Sequence, residues 1–182
     1  MKANFEELDE KTRQYIREEF EREQKSDNPY ISLRLSPDGK RLFPKLMRDA
    51  IYSGDEETFK RELCKKQYFN DTEQYERNGE RKERKINYEQ ASEQLAFSEF
   101  NTWYVRGLTK KLIDEGIKKC QIYRLKQPKW EPAECSIHEG QIVDVEIIYN
   151  GHRSKYWPIK NDSAFSIPAQ PGCHHSIKRV KA

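Results

Sequence analysis

The 182-residue sequence has no apolar run near the roughly 18 residues that a membrane-spanning helix needs, and only 35% of its residues are hydrophobic. No membrane partner is therefore expected. The opening stretch, Met1 to Tyr15, lacks the apolar core of a secretory leader, so the expected compartment is the cytoplasm. In that setting the four cysteines (Cys64, Cys120, Cys135, Cys173) are expected as thiols or metal ligands rather than disulfides. There is no glycine-rich phosphate loop, no serine elbow and no H-E-x-x-H, since Gln141 and Ile142 follow His138-Glu139-Gly140. Nothing points to a small-molecule substrate. A strong excess of one charge is also missing: charged residues make up 36% of the chain, yet the net charge is only +3. Low hydrophobicity with a large net charge would argue disorder; nearly cancelling charges with 12% aromatic residues argue a folded chain with a modest core.

Helical spacing is present in the first 24 residues, where Phe5, Leu8, Tyr15, Ile16 and Phe20 lie near one stripe among eight acidic and five basic side chains. A solvated helix laced with i,i+4 pairs is the plain expectation; a helix docking a partner along that stripe is the sharper one. "YISLRL" alternates like a short strand, "SPDG" like a turn, and Pro44 suits the first turn of a helix closed by Gly54. Asp55 is positioned to cap the next helix, which carries Cys64 on its apolar side as an expected buried thiol. "ERNGERKERK" has no apolar residue and an Asn-Gly turn signal, and is expected as an exposed loop or linker. It separates a mainly helical region, 1–80, from a C-terminal domain, 87–182.

The strongest helical pattern runs from Asn87, a cap candidate, to Gly116, a C-terminal stop. Gly107 inside it costs about 1 kcal/mol against alanine, which close packing on another backbone would explain. The period then changes to 2. "KKCQIYRLK" and "QIVDVEIIY" read as half-buried strands, and the chain closes on a short strand after "PAQPG". The fold class is α+β: an N-terminal helical region, then a long helix packed on a small, mainly antiparallel sheet.

All four histidines lie between His138 and His175, with Cys135 just before that window and Cys173 inside its far end. Cys135 and His138 have the C-x2-H spacing of a tetrahedral metal knuckle. In extended backbone, residues i and i+2 share a face. Cys173 then pairs with His175, and His174 points away. Cys135, His138, Cys173 and His175 make a closed, structural zinc set; the plain alternative is two buried thiols beside exposed histidines. A Cys/His nucleophile pair using Cys135 or Cys173 has no flanking signature. "YNGHRSKYWP" interleaves His152, Arg153, Lys155, Tyr156 and Trp157, a mixture that can stack bases and hold phosphates, or fold as a hairpin loop onto a core. With Lys178 and Arg179 these residues are the candidates for binding nucleic acid or a protein partner.

From Ala91 onward the order of features resembles the C-terminal domain of phage Mu F-like head morphogenesis proteins, the minor head proteins of tailed phages. Glu99 and Asn101 match the family's E-x-N helix, and "DEGIKKCQIYR" its helix end and strand. "CSIHEG" stands for the cysteine-to-glycine element, and "IPAQPGCHH" for the closing element, with Pro171 and Cys173 matching. His174 stands where the family has arginine, Gln170 where it has histidine, and Glu139 where it has aspartate. The resemblance covers about the last 90 residues. It implies a phage-derived structural protein of the virion or host cytoplasm, bound to other virion proteins and to DNA, with the Cys135 and Cys173 elements brought together. Two other function classes fit the sequence: a small phage or mobile-element protein that inhibits a host defence complex, and a metal-dependent nuclease using His138, Glu139 and His152.

Overall fold

The computed structural model describes residues 3–27, 29–127, 136–156, 164–169 and 172–180, with the side chains of 152–156 excepted. These form five helices and two small antiparallel sheets, an α+β fold in which a long helix packs on sheet. They divide into two compact units. Tyr30–Phe97 is one; Met1–Pro29 together with Ser98–Ala182 is the other.

Helix α1 (Glu10–Gln24) precedes the Tyr30–Phe97 unit in the sequence, and that unit contains helices α2 (Pro37–Ser53) and α3 (Glu56–Leu63). "YISLRL" is not a strand: only Leu35 forms a bridge, to Phe69. "SPDG" is a helix start rather than a turn. The Ser36 side chain accepts from the Gly39 N–H and Pro37 occupies the first turn, where its missing donor costs nothing. Pro44 therefore falls inside α2, and burial of Phe43, Met47, Ala50 and Ile51 carries the helix through it. Asp55 caps α3 as expected, accepting from the Thr58 N–H. Cys64 is the C-cap of α3 and only half-buried, not a core thiol. "ERNGERKERK" is no linker but most of a hairpin, β1 (Thr72–Arg77) paired with β2 (Glu80–Lys85). Asn78 and Gly79 both have positive φ, the turn geometry that asparagine-glycine favours. Every residue of β2 is exposed.

The other unit holds α1 (Glu10–Gln24), the C-terminal part of α4 (Tyr88–Asp114) and a three-stranded sheet of order β4-β3-β5. Its strands are β3 (Lys119–Arg124), β4 (Ile142–Asp144) and β5 (His175–Arg179). Helix α5 (Val145–Tyr156) follows β4 directly. Residues 99 to 109 of α4 are all buried, so this stretch is core on every side. Helix α1 lays Ile16 and Phe20 on it. A Cβ on Gly107 would sit 2.4 Å from Ile16 Cγ1 and 2.6 Å from the Ile16 backbone nitrogen, so the glycine permits the two helices to touch. The stripe on α1 thus docks within its own chain. Beside it Arg106 is sandwiched between Glu19 and Glu23, each at 3.3 Å, over the Trp103 ring. Tyr149 donates to Glu19 at 2.9 Å.

"QIVDVEIIY" is a strand only over its first residues. Val145 and Ile148, three apart, are fully buried, while Ile147 is exposed. Burial thus follows helical spacing, and the alternation of Val143, Val145, Ile147 and Tyr149 was the weaker pattern. The "YNGHRSKY" stretch accordingly belongs to α5 and not to a hairpin loop. No helix among the described residues is long and apolar enough to cross a membrane.

Candidate functional site

The site is built where the middle of α4, the start of β5 and the turn before β4 meet. His175 opens β5 and lies opposite Arg124 of β3 in the antiparallel register. Its carbonyl accepts from the Asn101 side chain of α4 at 2.9 Å, a buried hydrogen bond. The backbone of His175 is thereby held from two elements. Cys173 stands two residues earlier, on the same side of the extended chain. Its Sγ is 3.7 Å from His175 Nδ1. The other ring nitrogen, Nε2, faces Glu139 Oε2 at 3.5 Å. Glu139 comes from the turn that follows Ser136, and Arg124 clamps the same oxygen with Nη2 at 2.6 Å and Nε at 2.9 Å.

The charges reinforce one another. The Arg124 guanidinium, as hydrogen-bond donor, holds the Glu139 carboxyl below its ordinary value. The hydrogen bond with Cys173, joined by the Glu139 carboxylate, raises His175. Burial raises the Cys173 thiol, but the His175 ring and backbone donors at His175 and Ala169 outweigh it, and the net shift is downward. His174 is half-buried and shifted down, first by burial. Its carbonyl accepts from the Leu125 N–H at 2.8 Å, which ties the tail to the end of β3.

The other described candidates make contacts of their own. His138 turns its Nδ1 to Gln141 at 3.4 Å and sets its ring edge-on to Phe165, centroids 5.1 Å apart. Cys135 and Trp157 lie outside the described residues. His152, Arg153, Lys155 and Tyr156 have their backbone on α5, with side chains outside the described set. Lys178 and Arg179 are ion-paired within the chain: Lys178 to Glu6 at 3.1 Å, Arg179 to Glu7 and Glu115. Among the described residues no group of three or more His, Cys, Asp or Glu side chains is arranged to hold a metal ion.

Sequence reasoning named Glu139 for its glycine neighbour and Asn101 for the E-x-N pattern, but not as partners of His175. Arg124 had no signal at all beyond its place in a strand. Glu99, on the same helix as Asn101, is a further buried carboxyl. Burial pushes it up to about 8, opposed by the Trp103 indole one turn on, although that indole nitrogen falls short of a full hydrogen bond. Comparison with protein-family models, with curated proteins and with solved structures finds no match to the chain.

Proposed function

We propose that the chain is a phage-derived minor head or virion-associated structural protein, non-enzymatic, whose C-terminal region is closed by a zinc clasp. One observation carries the proposal. Three separate elements of the resemblance meet on His175: Asn101 of the E-x-N helix on its carbonyl, Glu139 of "CSIHEG" on Nε2, and Cys173 of the closing element on Nδ1. A motif scattered over 75 residues has a single structural purpose if its parts build one joint.

The donors suit zinc. Sulfur and nitrogen ligands on a tetrahedral zinc lie about 3.6 Å apart, from bonds of about 2.3 and 2.0–2.1 Å; Cys173 Sγ and His175 Nδ1 are 3.7 Å apart. Cys173 and His175 would hold the ion, with Cys135 as a further ligand by its spacing; His138, occupied with Gln141 and Phe165, is the weaker member of the set. When bound, the ion would supply a cross-link and no reaction. Cys173 is 2% and His175 3% exposed, which suits a closed structural site and gives a nucleophile no access to substrate. The nuclease alternative needs Glu139 free for metal or water, and Arg124 already neutralises it. The inhibitor alternative loses most of its helical docking stripe, because the Ile16 and Phe20 face of α1 is buried.

Particles purified from cells that produce the phage test the assignment. The chain is expected in them, in fixed ratio to the capsid protein, by quantitative mass spectrometry. Its absence from particles with a full set of capsid and tail proteins overturns the proposal.

A further inference from the structure

We infer that the β1–β2 hairpin is a self-association arm, whose free β2 edge pairs antiparallel with the β2 edge of a second copy of this chain, Lys82 against Lys82 at the two-fold axis. The hairpin lies in the Tyr30–Phe97 unit and is independent of the clasp.

A two-stranded ribbon without an apolar face is marginal in water and gains from a further strand. β1 and β2 form such a ribbon, with no third strand beside it among the described residues. Every residue of β2 is exposed, and on β1 only Glu73 and Tyr75 are half-buried, beneath Arg34 and Arg84. Backbone direction fixes what the open edge offers. The Ile86 N–H donates to the Asp71 carbonyl, so in this register the even-numbered residues of β2 turn their backbone groups toward β1. Alternation turns the N–H and C=O of Arg81, Glu83 and Lys85 outward. A second antiparallel strand must meet them with outward-facing groups of its own, so a slip of one residue is forbidden.

Charge then selects among the registers that remain. Lys82 against Lys82 brings Arg81 to Glu83 and Glu80 to Arg84 of the second copy, each twice by symmetry. Slipping two residues one way sets Arg81 against Lys85 and Glu83 against Glu83; slipping the other way sets Arg81 against Arg81. Edge charges of one sign keep strands apart, whereas the alternating signs of β2 fit one register. The complementarity continues across the ribbon, because Glu73 lies opposite Arg84 and Arg77 opposite Glu80. One row on one face then reads Glu73, Arg84, and Glu80 and Arg77 of the second copy, alternating in sign over four strands. On the other face Glu76 and Arg81 lead to Glu83 of the second copy. Opposite charges directly across a ladder stabilise it, and like charges oppose it. So short an edge buries less than a permanent dimer needs, and a weak, salt-sensitive association is expected.

Sedimentation equilibrium of the full chain up to about 1 mM, at low and at high salt, measures the association. Wild type is expected to dimerise, less so at high salt; a monomer throughout overturns the inference. Arg81→Glu with Arg84→Glu makes the facing positions acidic, and Glu80→Arg with Glu83→Arg makes them basic. Each double variant is expected to lose at least about tenfold in self-association, and an equimolar mixture of the two to form the mixed dimer. Undiminished dimers in either variant place the interface elsewhere, and variants that stay apart on mixing trace the loss to the hairpin itself; both results overturn the inference. Should a reversed variant fail to fold, Lys82→Cys and Arg84→Cys decide. Position 82 faces itself in a non-hydrogen-bonded pair, with Cα atoms about 4.5 Å apart, within reach of a disulfide. Position 84 faces Glu80 of the second copy and lies far from its own counterpart. Under mild oxidation Lys82→Cys is expected to link two copies above the wild-type background and Arg84→Cys to stay at that background. No linking at 82, or equal linking at both, overturns the inference.

Discussion

A carboxyl group at position 99 sits inside the core, and its protonation sets a pH dependence. Its folded value, about 8, lies well above the ordinary 4.5. Below about pH 4.5 the acid is neutral in both folded and unfolded chains and costs nothing. Between there and about 8 the unfolded chain releases the proton and the folded one retains it, so folding weakens as pH rises, by up to about 1.4 kcal/mol per pH unit. Above 8 the cost is constant. Glu99→Gln removes the titration and keeps the shape. Its stability relative to wild type is expected to rise between pH 4.5 and 8 by on the order of a few kcal/mol, read from urea midpoints. A difference that stays flat over that range would show that Glu99 is ionised in the fold.

At the scale of elements, α1 and α4 are joined by one glycine and one buried ionic cluster. Gly107→Ala should gain about 1 kcal/mol of helix propensity in isolation. In the fold its Cβ meets the Ile16 backbone, which cannot move aside as a side-chain end could. A net loss of about 1–3 kcal/mol is expected from overpacking, measured by chemical denaturation; a gain would mean that the helices are further apart. The hidden reason for this glycine was anticipated from sequence as close packing on a backbone. Which backbone was not, because Ile16 and Gly107 are separated in the sequence by the whole Tyr30–Phe97 unit. The strand-to-helix change at α5 has the opposite lesson. Over nine residues, period 2 and period 3.6 share too many positions to be told apart.

At the scale of the molecule, the first residues belong with the last. Phe5 packs edge-on against Phe100 and Tyr104. Tyr123 donates to the Asn4 carbonyl at 2.8 Å, and Glu7 accepts from the Arg179 N–H at 2.6 Å. A division at residue 80, drawn from the charge run, cuts across this arrangement. Deleting residues 1–7 is expected to destabilise the β3–β5 sheet by about 2–4 kcal/mol, in the range of large core truncations. Hydrogen exchange at β3 and β5 amides measures it, and unchanged protection would return the segment to an independent N-terminal region.

By itself the sequence determined what depends on near neighbours along the chain. The Asp55 cap, the Asn78-Gly79 turn, the long helix and the strand at Lys119–Arg124 each follow from residues within a turn or two of one another. The sequence also put Cys173 and His175 on one side of an extended tail, because side chains two apart share a face. Only the tertiary structure decided which nitrogen of His175 meets the sulfur and what stands behind the other. Glu139 is 36 residues from His175, and Arg124 is brought to both by strand register. Contacts at that separation carry no local signal; they exist only once the sheet has paired and the long helix has closed over it.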